Sequence, residues 1–286
     1  LNNFQIKKRI KKNVWQCQAG NKEVMVKKYE HILVAKKVKA VHDTLADMEF
    51  PHTLPNTKLE NNILTQPWVK NARRFNYKSK IDRKKSLELI HQLHKTGKNN
   101  NWSKADYYLP AYDLQLKWQE RLQKFIMHIP QISIYLGNEK CDQLVLYARK
   151  ALKELQNVEP LTSKKTILHG DVVHHNFLKD AKGKDYMIDF DLCAYGHPEE
   201  ELIMWMHRVL PHVQYNLKSL LKEQPLLSDF PKSYLQALRY PNELLREWLY
   251  VKTVENEKQQ TFVEDLLRFT EVALSSWPKL WYDCGR

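Results

Sequence analysis

Between Ile167 and Leu178 the chain reads "ILHGDVVHHNFL", which sets an aspartate, an asparagine and three histidines between short apolar runs. Such groups are costly to bury without partners, so their clustering points to a loop built for chemistry. Asp171 and Asn176 stand five positions apart, and Asp189 closes the apolar strand "YMID" beyond a hairpin turned at Gly183. Phosphoryl transfer needs this combination: a carboxylate that orients or deprotonates the attacking hydroxyl, and two oxygen ligands that hold Mg²⁺ against nucleotide phosphates. Asp191 either binds a second metal or ends the strand. Zinc is a further option for His169, His174, His175 and His197. Zinc sites, however, show helical i, i+4 pairs or tight Cys/His spacing, and adjacent His174 and His175 point different ways. His169 is expected to hold the loop as a hydrogen-bonded scaffold residue, and His174 and His175 to face substrate.

The surrounding pattern supplies the elements that position this loop. "FQIKKRI", "VWQCQ" and "EVMVKKY" have strand character, with a hairpin turn around Gly20. From Glu30 to about Met48, Ile32, Ala35, Val38, Val41 and Leu45 fall at helical spacing. "NNILTQPW" is a further strand ending at Pro67. After Trp68 the pattern turns helical in "DRKKSLELIHQLHKTG", "LPAYDLQLKWQERLQKFI" and "EKCDQLVLYARKALKEL", and the β-rich island Thr166 to Ala194 interrupts it. The expectation is an α+β chain with a β-rich lobe over residues 1–67 and a larger helical lobe over 68–286.

Composition narrows the class. The 286 residues are 43% hydrophobic, which argues for a globular protein. No apolar run reaches the ~18 residues of a membrane span, so no membrane association is expected and the cytoplasm is the default location. Cys17, Cys141, Cys193 and Cys284 are too scattered for a metal site and read as reduced thiols. Residues 1–40 hold eleven Lys/Arg against two Glu, whereas residues 201–286 hold eleven of each sign. No nucleic-acid recognition motif accompanies this basic start, and nucleic acid is not an expected partner. Trp68 and Trp118 read as packing or hinge residues.

"HGDVVHHN" followed by "IDFD" resembles the HGDxxxxN and IDxD pattern of the aminoglycoside phosphotransferase and choline kinase superfamily, whose members have the bilobed protein-kinase-like fold. The resemblance extends from about Ile10 to Leu210. It implies ATP and Mg²⁺ as cofactors, Asp171 as the catalytic residue, and Asn176 and Asp189 as metal ligands. By the same resemblance "VMVKKY" carries the phosphate-gripping lysine, Lys27. "LTQPWVKN" is similar to the hinge where adenine meets backbone groups, which places Pro67 and Trp68 at the nucleotide. Within the superfamily, "NVWQCQAGNKEVMVKKY", "LTQPW" and "LPAYDLQLKWQERLQKF" are most similar to the spore coat protein S-like kinase group of spore-forming bacteria. That likeness implies a spore coat location and coat proteins as partners.

Three departures from the superfamily pattern stand out. "KKRIKKN", residues 7–13, occupies the place of the nucleotide-covering loop without a glycine, so Lys8, Arg9, Lys11 and Lys12 are expected to stand in for backbone amides. The helix after Lys27 offers Glu30 too early and Asp43 late, which leaves the usual Lys–Glu pair unassigned. His197 and Glu201 replace the aspartates of D-P-x-x-D-L, and Glu201 is expected to brace the catalytic loop with its longer arm. The function implied is ATP-dependent phosphorylation of a hydroxyl on a small molecule; the alternative is a non-catalytic, kinase-like coat or scaffold protein.

Overall fold

Short turns set the register of the N-terminal strands. β1 (Gln5–Lys11), β2 (Val14–Ala19) and β3 (Lys22–Lys28) are joined by the two-residue turns Lys12–Asn13 and Gly20–Asn21, and β4 (Lys58–Glu60) meets β5 (Ile63–Pro67) across Asn61–Asn62. Asn13, Gly20 and Asn61 stand at φ of 62°, 56° and 53°, the left-handed conformation that glycine and asparagine adopt most readily. The strands pair antiparallel in the order β1-β2-β3-β5-β4. Residues 7–11 are strand, as the "FQIKKRI" pattern predicts, and Lys12–Asn13 is the turn, so "KKRIKKN" forms one arm and the tip of the β1–β2 hairpin.

This computed structural model describes residues 4–102, 109–254 and 256–285. The chain divides into two compact units, one of Leu1–Tyr112 with Ser163–Glu201 and the other of Asp113–Thr162 with Leu202–Arg286. The first holds the five-stranded sheet and α1 (Ile32–Asp47), which buries Ala35, Val38, Val41 and Leu45 along one stripe, as a 3.6-residue period requires. It also holds two small sheets, in which β6 (Arg73–Arg74), β8 (Phe177–Lys179) and β9 (Asp185–Met187) pair in the order β6-β8-β9, and β7 (Thr166–Leu168) pairs with β10 (Ala194–Gly196). α2 (Lys80–Gly97) is capped by Ser79, and the buried Asp82 of its first turn takes both guanidinium nitrogens of Arg73 at 2.7 and 2.8 Å.

The second unit is helical. α3 (Leu114–Leu136) starts at Asp113, whose carboxylate accepts the Leu116 N–H at 2.9 Å. α4 (Asn138–Leu155) follows after a single glycine, Gly137, at φ 83°. α5 (Pro198–Val209) spans the division between the units, and α6 (Leu217–Glu223), α7 (Asn242–Tyr250) and α8 (Asn256–Asp283) complete the set. Trp118 is fully buried and stacks on Tyr240 with ring centroids 4.4 Å apart, so it is a packing residue. The fold is α+β, with a β-rich N-terminal sheet and a helical C-terminal part. Among the described residues no helix is long and apolar enough to cross a membrane.

Candidate active site

The loop that carries Asp171 is held from behind by Glu201, at the start of α5. Its carboxylate accepts the backbone N–H groups of His169 at 3.1 Å and Gly170 at 2.6 Å, and His94 of α2 donates from Nε2 at 2.8 Å. Burial of Glu201 works to raise its pKa, but His94, His169 and the Gly170 N–H outweigh this and hold the carboxyl below its ordinary value. Glu201 thus fills the bracing position expected of it. Gly170 stands at φ 81°, and an added Cβ would run into the Leu192 carbonyl. Glycine is required there on both counts. His169 is the scaffold residue expected: Nε2 donates to Ile188 O at 2.9 Å while Nδ1 accepts the Asp171 N–H at 3.4 Å.

Asn176 joins the two halves of the motif. Its Nδ2 donates to Asp171 O at 2.9 Å and to Asp171 Oδ2 at 3.2 Å, and its carbonyl accepts the Ile188 N–H at 3.0 Å, one residue before Asp189. Asn176 Oδ1 has no partner among the described residues. That orientation leaves an amide oxygen for a hard cation.

Asp189 sits at φ 65°, an uncommon conformation for a residue other than glycine. Lys27 of β3 reaches Asp189 Oδ1 at 2.7 Å and also pairs with Asp191. Lys11 of β1 approaches Asp189 Oδ2 at 3.1 Å, and the Tyr29 hydroxyl donates to Asp191 Oδ1 at 2.8 Å. Burial would raise the Asp189 pKa; Lys27 and Lys11 override it and hold the carboxyl well below the usual carboxylate range. For Tyr29, burial and the neighbouring Asp191 act in the same direction and push the phenol up.

Two members of this cluster were not read from the sequence. Tyr29 is one. The other is Lys37 of α1, which is buried and donates to Asp191 O at 2.7 Å and to Cys193 O at 3.1 Å. A signal existed, since Lys37 lies one helical turn before the buried Val41 and so falls on the apolar stripe. The carboxylates in and just before α1 engage elsewhere: Asp43 pairs with Lys39, and Glu30 with Lys12 at 3.3 Å. Lys27 is therefore held by the two aspartates of "IDFD".

A cavity of about 730 Å³ opens onto this cluster. Val14, Met25, Leu64 and Leu178 form an apolar wall, Pro67 and Trp68 line it, and Lys27, Asn176, Asp189 and Asp191 stand at the polar part of the lining. Of the four N-terminal cations, Lys8 and Lys11 line the cavity. His175 also lines it; burial, followed by the nearby His174, lowers the His175 pKa. His174 packs edge-on against Tyr77. Among the described residues no cluster of three His, Cys, Asp or Glu could hold a metal, and the four cysteines are buried free thiols.

Residues 81–214 match the model of the Phosphotransferase enzyme family. No curated protein matches the chain significantly in sequence. Among solved structures, an aminoglycoside phosphotransferase from Alicyclobacillus acidocaldarius is similar with a TM-score of 0.68 at 14% identity, covering 98% of this chain and 93% of its own. The AMP-bound complex of a spectinomycin phosphotransferase gives 0.65 at 14% identity, covering 96% and 93%. The choline kinase LicA from Streptococcus pneumoniae gives 0.57 at 13% identity, covering 99% and 92%. The shared feature is the kinase-like α+β fold.

Proposed function

We propose that this chain is a phosphotransferase of the aminoglycoside phosphotransferase and choline kinase superfamily, moving the terminal phosphoryl group of ATP to a hydroxyl of a small molecule. One observation carries the reading: Lys27, Asn176, Asp189 and Asp191 line one cavity, and Asn176 is hydrogen-bonded to Asp171. The family match over residues 81–214 supports it.

In this reading adenine lies along the apolar wall, against the hinge at Pro67 and Trp68 where the N-terminal lobe of residues 1–67 ends. Lys27 grips the phosphates. Asn176 Oδ1 and Asp189, with Asp191 as a further ligand, fit Mg²⁺, which when bound neutralises phosphate charge. Asp171 receives the proton of the acceptor hydroxyl as the new O–P bond forms and the bond to ADP breaks. Residues 201–286, with eleven charges of each sign, offer no acidic excess for a cationic acceptor. A neutral or acidic hydroxyl compound suits them better. A place in the spore coat rests on the "NVWQCQ", "LTQPW" and "LPAYDLQ" likeness.

The test is a thermal shift with MgATP. At ligand one hundred times above Kd the gain is about 2.7 kcal/mol, and Asp189→Asn should abolish its Mg-dependent part. ADP release is then screened across sugars, amino alcohols and aminoglycosides. Absence of any MgATP shift sinks the reading. Binding without turnover on any acceptor would describe a nucleotide-binding pseudokinase instead.

A further inference from the structure

The apolar part of the cavity lining is interrupted by two buried polar side chains. Gln66 of β5 and His42 of α1 line the cavity together with Val38, Leu54 and Leu64, and they are 4% and 3% exposed. Gln66 directly precedes Pro67 and Trp68, the hinge residues that line the same cavity. A buried amide among apolar side chains costs free energy unless its hydrogen bonds are made. A wall that served the fold alone would carry an apolar residue here.

The partners of the amide fix its orientation. Thr57 Oγ1 donates its proton to Leu54 O at 3.3 Å, so it has only lone pairs to offer Gln66. Gln66 Nε2 donates to that oxygen at 3.1 Å and to His42 Nε2 at 3.0 Å. Both N–H groups are then spent, and the ring nitrogen accepts. Burial lowers the His42 pKa to about 4, which keeps the ring neutral and its lone pair available. His42 Nδ1 is buried without a partner, so the only side-chain hydrogen bond of the ring among the described residues is the one that holds Gln66. Gln66 Oε1 makes no hydrogen bond among the described residues. The amide is left with an acceptor to offer, and no donor.

We propose that Gln66 is a specificity-determining residue of the nucleotide site: its side-chain oxygen accepts a hydrogen bond from the exocyclic amino group of adenine and so selects adenine over a purine that lacks that group. His42 and Thr57 are positioning residues that hold the amide nitrogen away from the ligand. A purine with an oxygen in place of the amino group would set two acceptors against each other, which adds repulsion to the lost bond. The inference rests on the phosphotransferase reading, which puts adenine at this wall, and names the side chain that reads the base.

The test is calorimetry on the full chain in the presence of Mg²⁺, with ATP and with purine riboside triphosphate, which differs from ATP only in lacking the amino group. Native protein should bind ATP about tenfold or more tightly than the analogue. Gln66→Met keeps the length of the side chain and removes the amide; it should cut that ratio by about fivefold or more, with affinity for the analogue held within about twofold. If Gln66→Met fails to fold, judged by circular dichroism, His42→Phe, which removes the nitrogen that orients the amide, carries the same expectation. Equal native affinity for the two nucleotides, or a ratio that the variant leaves unchanged, overturns this inference alone. Absence of binding by either nucleotide overturns it together with the phosphotransferase reading.

Discussion

Glu201 and Asp189 both hold their pKa below the ordinary carboxylate value, yet by different means. Glu201 is 2% exposed and gives its oxygens to two backbone N–H groups and an imidazole. Asp189 keeps 26% of its side chain exposed and faces two lysine ammonium groups. Backbone donors on a loop fixed by Gly170 cannot turn to another partner, so the Glu201 network is scaffold. Lysine arms on flexible stems can exchange a carboxylate for a phosphate, so the Asp189 cluster is free to rearrange when charge enters the cavity. A pKa shift therefore does not mark a reactive group; the exchangeability of its partners does.

The contrast is broken most directly at Glu201. Glu201→Ala strands three buried donors and should cost about 3–5 kcal/mol in urea denaturation, while Asp189→Ala, at a half-open site, should cost well under half as much. Comparable losses at the two positions would erase the distinction between scaffold and exchangeable charge.

Asp171 sharpens the same division from the side of chemistry. In Asp171→Asn, turnover measured by ADP release should fall about a hundredfold or more, with MgATP affinity by calorimetry nearly unchanged. A parallel loss of affinity would place Asp171 among the nucleotide-holding charges.

Acid titration separates interior from mouth. Burial holds His42 neutral, with its pKa lowered to about 4 from 6.5. The unfolded chain takes up that proton first, so stability falls as pH drops from about 6.5 towards 4 and then levels for this group, by about 3 kcal/mol at most. Asp189 is shifted in the same direction but acts in a lower window: its stabilisation is intact above the ordinary carboxylate value and is lost only as pH falls through its lower folded value. His42→Gln should reduce the slope of the stability curve between pH 6.5 and 4, the rest of it coming from His207, which burial also lowers to about 4, and Lys27→Met should weaken resistance below pH ~4. An unchanged slope in His42→Gln would show that folding does not lower the His42 pKa.

The smallest effect is expected at Lys37, whose two bonds to carbonyls beyond Asp189 are charge-assisted. Lys37→Met should cost about 2 kcal/mol in the same denaturation assay and weaken the MgATP shift without disturbing the Glu201 network. Wild-type MgATP affinity in that variant would make Lys37 a packing residue alone.

Much of this site could be read before folding was considered. Asp171 and Asn176, five positions apart, are bonded to each other, and the turns at Asn13, Gly20 and Gly183 depend on left-handed conformations available to those residue types. The partner of Lys27 could not be read that way. Glu30 stands too early and Asp43 late for that pair, and both face other lysines. The strand character of "FQIKKRI" was legible, whereas its place over the cavity depends on pairing with β2.

What the sequence determined by itself is what short-range geometry enforces: the hairpins of the sheet, the amphipathic stripe of α1, and a loop whose aspartate, asparagine and glycine are set by spacing and backbone conformation. The tertiary structure decided which charges meet. Lys27 lies 162 residues from Asp189, and His94 lies 107 from Glu201. Among 46 Lys/Arg and 33 Asp/Glu, charge alone favours no one long-range pair over another, because Coulomb attraction between solvated side chains is weak and unspecific. Packing selects them: burial of the Val41 stripe brings Lys37 inward, and the αL turn at Asp189 aims its carboxylate at β3.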